Sequence, residues 1–455
     1  MNSTDRPGRG RRRAVALLLA LPLVATAACS SSSSTSSSGS GGGSTAAASS
    51  CKPSSGKVTL QFWTWVPGMQ QVVDKWNAAN PNIQVQVKET PAGNAGTYQN
   101  MFNALKANTA PDLGQVEYDS LASFRLQKGL KDISGCAGVN DAKAQFPDWA
   151  WSQVQMGGPG VYAVPEDIGP MALFYRKDIF DKAGLKPPAT WDEYARDAQV
   201  LKAKGVYITH FPQQDANWFD GLLWQSGARI FDTSGSTVKV SLDDSSSTKV
   251  ADYWQKLIDD KLVATNLQGF SPDLYKAWDT GKVATWVSAA WGYSTIRDNA
   301  KDTAGKWAVA PMPQWQAGDN AAGNWGGSTT TVFSQSQHPA EAAKFALWLN
   351  TNPDALALEN AKGGLYPAAK AGADLPALTQ GVPFYGGQKV FEVFKQASSQ
   401  VDTKFQWGPV MTDTNRFLSD GFTKALNGQG TLGEALKSAQ TQTVSSLKAQ
   451  GISVG

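Results

Sequence analysis

After residue 57 the hydrophobic period of this chain keeps switching, and that switching limits the folds open to it. Val58 to Thr64 alternates apolar and polar side chains, and Ile83, Val85 and Val87 repeat that alternation. Met69 to Ala79, between them, carries a helical pattern; Tyr98 to Asn108 reads as a second helix and Asp112 to Glu117 as a further short strand. A period of two puts alternate side chains on opposite faces of a strand, whereas helical spacing gathers them on one stripe. Strands alternating with helices imply an α/β fold with largely parallel sheets. The pattern continues downstream. Thr190-Trp-Asp-Glu193 is a capping-box start for a helix to about Lys204, Thr431 to Glu434 opens a C-terminal helix in the same way, and Pro339 starts a helix to Leu349. No internal repeat is evident.

The segment ahead of this body is of another kind. Arg6, Arg9 and Arg11 to Arg13 precede the apolar run Ala14 to Ala28, which is too short to span a bilayer but suits a signal peptide, expected over residues 1–28. Ala25-Thr-Ala-Ala-Cys29 resembles a bacterial lipobox, in which Cys29 becomes the lipidated first residue; ordinary cleavage at an A-x-A-like site is the alternative. Arg12-Arg13 alone leaves the export route, general secretory or twin-arginine, open. Ser30 to Ser50 is almost wholly Ser, Gly, Thr and Ala and has no large apolar residue with which to build a core. Residues 29–57 are therefore expected to be a flexible tether, with a reach of about 25–30 Å.

Removing the export segment changes the charge balance. Residues 1–28 carry five Arg and one Asp, so the formal +3 of the whole chain becomes about −1 for the remainder, and nothing favours nucleic-acid binding. The body of nearly 400 residues exceeds what one core usually serves, so two lobes are expected. With Cys29 assigned to the lipid, Cys51 and Cys136 remain; in an oxidising compartment they read as a disulfide, with two unpaired buried thiols as the alternative. Enzyme signatures are missing. His210 and His338 lie 128 residues apart, no P-loop or nucleophile elbow occurs, and no cofactor is expected.

Several segments, taken in order, resemble one family. Val58-Thr-Leu-Gln-Phe-Trp-Thr-Trp65 opens the fold and Ala110-Pro-Asp-Leu113 enters a strand. Tyr162-Ala-Val-Pro165 leads to Ala172-Leu-Phe-Tyr-Arg-Lys-Asp178, followed by Gly184-Leu185, Pro187-Pro188 and Thr190-Trp-Asp-Glu-Tyr194. Ala290-Trp291, Gly326-Gly327 and Ala342-Ala-Lys-Phe345 complete the series. In order and spacing the body resembles the extracellular solute-binding proteins of the maltose-binding type, the sugar-capturing components of ABC importers. The resemblance implies a two-lobed, periplasmic-binding-protein-like (type II) α/β fold with a hinge. Its N-terminal lobe would comprise 58–165 plus 325–362, and its C-terminal lobe 166–324 plus 363–455. The lobe crossings would be Pro165 to Ala172, Pro311 to Trp325 and Gly363 to Gly372. It also implies a monomer on the outer face of the cell membrane, held by its lipid and partnered by the permease subunits of the importer.

All 17 Trp lie in the body. A sugar offers an apolar C–H face to flat rings and a rim of hydroxyls to Asp, Glu, Asn and Gln. Trp63 and Trp65 stand two apart at the C-terminal end of a strand, where open α/β sheets bind ligands; both being core is the alternative. Glu117 and Asp119 follow another strand end, although Asp119 could instead cap a helix beginning at Ser120. Glu166 and Asp167 sit at a crossing, to bind sugar or to stabilise the hinge. Asn217, Trp218, Trp325, Gly327 and Tyr366 are further candidates. Trp291 matches the family's stacking Trp, whereas Trp407, beside Gly408-Pro409, departs from the family pattern. A polyamine, held by cation–π contacts and carboxylates, and a secreted glycoside hydrolase, which needs only two carboxylates, are the rival readings.

Overall fold

The structure, a computed structural model, describes residues 51–93 and 96–455. The expected signal peptide, Cys29 and the Ser/Gly run to Ser50 lie outside the described residues.

Val58–Thr64 buries every second side chain, as its alternation requires, and pairs in parallel with Ile83–Glu89 on one side and with Leu113–Glu117 on the other. Met69–Ala79 is the helix that makes the first crossover, burying Met69, Val72, Val73 and Trp76. Trp76 donates its indole N–H to the carbonyl of Ile83 at 2.8 Å, tying helix to sheet. Ser328–Val332 then pairs antiparallel with Leu113–Glu117, and Ala163–Pro165 pairs antiparallel with it, completing a five-stranded sheet. A second sheet of three strands places Met171–Arg176 between Thr285–Ala289 and Trp307–Pro311, antiparallel to both.

The expectation of largely parallel sheets is thus corrected. Among the strands of the described residues, parallel pairing joins only the first three and the two-residue pair Thr209–His210 with Val263–Ala264; elsewhere it occurs only as isolated bridges. The reason is topological. The chain leaves the first sheet at Pro165, builds the second, and re-enters at Ser328 as a central strand running the opposite way.

Three connecting segments run side by side where the sheets meet. Asp167 bridges to Pro367 and Pro170 to Asn324, while the Ile168 amide donates to the carbonyl of Tyr366 at 3.0 Å.

Local signals set the boundaries elsewhere. Thr190 caps Trp191–Lys202 by accepting from the Glu193 amide, but Glu193 reaches back to the Ala189 amide, so the box is displaced by one residue. At Thr431 the box closes in both directions. Cys51 and Cys136 form a disulfide. Among the described residues no helix is long and apolar enough to cross a membrane.

Candidate ligand-binding cleft

A cleft of about 310 Å³ opens between the two sheets. Other cavities match or exceed it, one of about 810 Å³ beside the Cys51–Lys57 arm, so volume does not single it out. Its chemistry does. Trp65, Phe270, Trp291 and Trp325 supply rings, while Gln115, Glu117, Asp167, Asp215, Asn217 and Ser328 supply hydrogen-bonding groups. Among the described residues no Lys or Arg lines it.

Trp65 follows the end of Val58–Thr64, where the last strand residue hands the chain to the cleft. The Trp65 amide and the Thr64 hydroxyl both donate to Oε1 of Gln115, at 3.0 and 2.9 Å. The Gln115 amide donates to Oγ of Ser328 at 2.9 Å, and the Ser328 hydroxyl donates to Asp167. The Ser328 backbone amide also donates to Asp167, at 2.7 Å. Each donor in this chain finds one acceptor, so the cleft floor has a single polarity that ends on a carboxylate. Next to it, Gly327 has φ +97°. A Cβ there would lie 2.8 Å from the Asp167 carbonyl and 3.0 Å from the Tyr118 ring, so only glycine fits the turn.

The opposite wall is aromatic. Trp291, at the start of Gly292–Asn299, meets Trp325 with ring centroids 4.6 Å apart, and Trp286 supports both at 5.9 Å. Phe270 completes the wall at its outer edge.

Acid groups dominate the electrostatics. Glu117 accepts the Tyr98 hydroxyl at 2.9 Å, and burial together with the Asp119 charge pushes its carboxyl up to about 8. Asp215 caps Ala216–Gln225 by accepting from the Trp218 amide, and burial raises it to about 6. Behind them Asp220 is fully buried with both carboxyl oxygens unpartnered, and its carboxyl is raised by desolvation and then by Asp119 and Asp215. Acids clustered without a cation hold their protons to unusually high pH.

Of the residues singled out from sequence, the cleft gathers Trp65, Glu117, Asp167, Asn217, Trp291, Trp325 and Gly327. The others lie elsewhere. Trp63, one residue short of the strand end, faces Lys88 on the neighbouring strand, whose ammonium lies 3.9 Å from the ring centroid. Trp218 is core: 2 % exposed, it donates to the Val287 carbonyl at 3.0 Å. Tyr366 is buried against Phe391, with ring planes 8° apart. Trp407 packs edge-on against Phe405 and Trp224, beside a separate cavity of about 210 Å³. Asp119 is neither on the cleft wall nor a helix cap. The helix Tyr118–Leu126 begins one residue earlier, and Asp119 is buried in its first turn, accepting the Ser120 hydroxyl. Glu166 is buried and accepts the Thr330 hydroxyl at 3.0 Å.

Gln115, Asp215, Phe270, Gly326, Ser328 and Leu365 were missed. Gln115 and Ser328 sit inside strands, where a polar residue reads as ordinary patterning. Asp215 carried a usable signal, being a helix cap three residues before Trp218.

Two sheet-bearing halves joined by crossing segments, with a ring-walled cleft between them, define a two-lobed periplasmic binding protein of mixed α/β fold. Residues 63–356 match the model of the bacterial extracellular solute-binding proteins, and the chain belongs to that family. It is similar to the arabinooligosaccharide-binding protein of Halalkalibacterium halodurans, with 26% identity over 85% of this chain and 88% of that one. Among solved structures it is similar to the galacto-N-biose/lacto-N-biose I-binding protein of the Bifidobacterium longum ABC transporter, in complex with lacto-N-biose. There the identity is 28%, over 88% of this chain and all of that one, with a TM-score of 0.78. The ABC-transporter-associated binding protein of B. animalis subsp. lactis, in complex with β-1,6-galactobiose, is 31% identical over 87% of this chain and 99% of that one, with a TM-score of 0.73.

Proposed function

We propose that this protein is the substrate-binding component of an ABC-type sugar importer, taking a mono- or oligosaccharide between its lobes, delivering it to the membrane permease and performing no chemistry on it. The observation that carries this reading is the composition of the cleft: aromatic rings set among carboxylates and amides, and no lining Lys or Arg among the described residues. Rings cover the C–H face of a pyranose, while acceptors and amide donors meet its hydroxyls. An anionic ligand would face Glu117, Asp167 and Asp215 with no counter-charge. The same three acids favour one second reading, a cationic ligand such as a polyamine. Gln115 and Asn217 weigh against it, because hydroxyls use neutral amides and an ammonium does not use their donors.

The lobes of this reading are 58–165 plus 325–362 and 166–324 plus 363–455. Its hinges are Pro165 to Ala172, Pro311 to Trp325 and Gly363 to Gly372, and closure is by rotation about them. Cys29 carries the lipid that holds the protein at the outer face of the membrane as a monomer.

Calorimetry with arabinooligosaccharides, lactose, lacto-N-biose, β-1,6-galactobiose, their monosaccharides and spermidine tests the reading. A saccharide should bind, be recovered intact on chromatography, and compact the protein in small-angle scattering. Binding of spermidine alone would shift the reading to the cation, and cleaved sugar would replace it with hydrolysis.

A further inference from the structure

Among the described residues, five non-glycine residues have a left-handed backbone: Asn108, Lys128, Met156, Lys261 and Phe270. Four of them follow the end of a helix, after Thr97–Lys106, Tyr118–Leu126, Asp148–Gln155 and Ser245–Asp259, where a left-handed residue is the usual way to close the last turn. Phe270 does not. It precedes a helix, two residues before Pro272, with φ +54°. A bulky residue in this conformation is strained, and strain that persists without a local structural role marks a functional position.

Its side chain is anomalous as well. Phe270 is 48 % exposed, and among the described residues only Val200 is another exposed large apolar side chain. Ser271 and Pro272 fix the backbone beyond it: Ser271 is extended, as a residue before proline must be, and caps the helix Pro272–Asp279. Held in this way, the Phe270 ring leans on Trp291, Trp325 and Trp286, at centroid distances of 5.8, 6.0 and 6.1 Å. Exposure along this wall rises from Trp286 at 2 % and Trp325 at 5 % to Phe270 at the mouth.

We infer that Phe270 determines ligand length. It is a rim platform that covers the apolar face of a second sugar ring, outside the one that Trp291 serves, so the preferred ligand is a neutral oligosaccharide of at least two units. Phenylalanine has no polar group with which to meet a hydroxyl, so what it offers is its face. The inference rests on the sugar-binding reading of the cleft.

The test compares wild type with Phe270→Ala, Phe270→Gly and Phe270→Trp against galactose, lactose and β-1,6-galactobiose by calorimetry, with thermal melts. Both small variants should weaken binding of whichever disaccharide the wild type prefers by about tenfold or more, while galactose affinity changes by less than about twofold. Phe270→Ala and Phe270→Gly should both still melt cooperatively, so that the affinities are read on folded protein, and Phe270→Trp should retain disaccharide affinity. Equal losses for galactose and the disaccharides, or no loss at all, would each overturn the inference. A wild type that binds no saccharide would instead overturn the reading of the cleft on which it rests.

Discussion

Trp291 donates its indole N–H to the backbone carbonyl of Trp325 at 3.2 Å, and the two rings meet edge to face at 65°. The bond fixes the plane of Trp291 from behind, so the ring presents a set face to the cleft instead of rotating with solvent. Trp291→Ala should therefore weaken saccharide binding by on the order of 1–3 kcal/mol, roughly tenfold to hundredfold in Kd. Because the ring is only partly buried, its removal should cost less stability than the ~3–5 kcal/mol of a fully buried Trp. Calorimetry paired with a thermal melt reads both. A collapsed melting point with unchanged affinity in the remaining folded protein would make Trp291 core.

Trp218 should behave in the opposite way. Its indole N–H reaches the Val287 carbonyl inside the second sheet, and its ring packs on Trp254 at 5.0 Å. Trp218→Phe keeps an aromatic ring but loses the donor and part of the indole volume, leaving a buried acceptor short of a partner and a small void, at a cost of about 1–3 kcal/mol or more. Denaturant melts should show that loss while saccharide Kd stays within about twofold. A large affinity change without destabilisation would return Trp218 to the cleft.

The contrast between these two residues shows what the sequence could carry. Strand and helix identities were legible because their periods differ. Met69–Ala79 coincides with its helical pattern, and the strand expected from Asp112 begins one residue later. Sheet direction was not legible, because it depends on where Ser328–Val332 inserts, and nothing local to that strand encodes its neighbours. Trp63 and Trp65 read alike in sequence. They part because the strand ends between them, leaving Trp63 over Lys88 and Trp65 on the cleft. Phe270 was invisible for a different reason: its left-handed backbone and exposure are properties of a fixed loop, and Gly-Phe-Ser-Pro reads only as a helix start.

Anchoring can be tested apart from binding. Cys29→Ala should move the protein from the membrane fraction to the medium, because a lipid chain is what holds a polar tether at a bilayer. Saccharide affinity should not change, since the residues lining the cleft lie between Trp65 and Leu365, far along the chain from Cys29. Fractionation followed by calorimetry on the released protein checks both halves. Unchanged membrane association of the variant would remove the lipid from the account.

Stability should depend on pH, because the fold buries several acids. Glu166 lies at the crossing between sheets with one carboxyl oxygen unpartnered; burial, then the Asp167 charge, push it up to about 8, as burial and Asp119 do for Glu117. Glu359 is also buried with an unpartnered oxygen and is raised by burial and then by Glu166. A carboxyl raised in the folded state holds its proton more tightly there than in the unfolded chain. Its stabilising contribution is therefore complete below about pH 4.5 and is lost as pH rises through the folded value. His210 works the other way: burial lowers it to about 3, so it adds stability as pH climbs to about 6.5, and its effect is then complete. The lowered carboxyls of Asp178 and Asp298 titrate only below about 4. Between pH 6.5 and 8 the raised acids act alone, and stability should fall by up to about 1.4 kcal/mol per pH unit for each. Thermal melts across that window should show Tm falling as pH rises. Glu166→Gln, which cannot ionise and keeps an oxygen for the Thr330 hydroxyl, should flatten the fall and melt higher than wild type at pH 8. A Tm that holds or rises over the window, or a variant with the wild-type slope, would mean that these carboxyls are solvated in the folded protein.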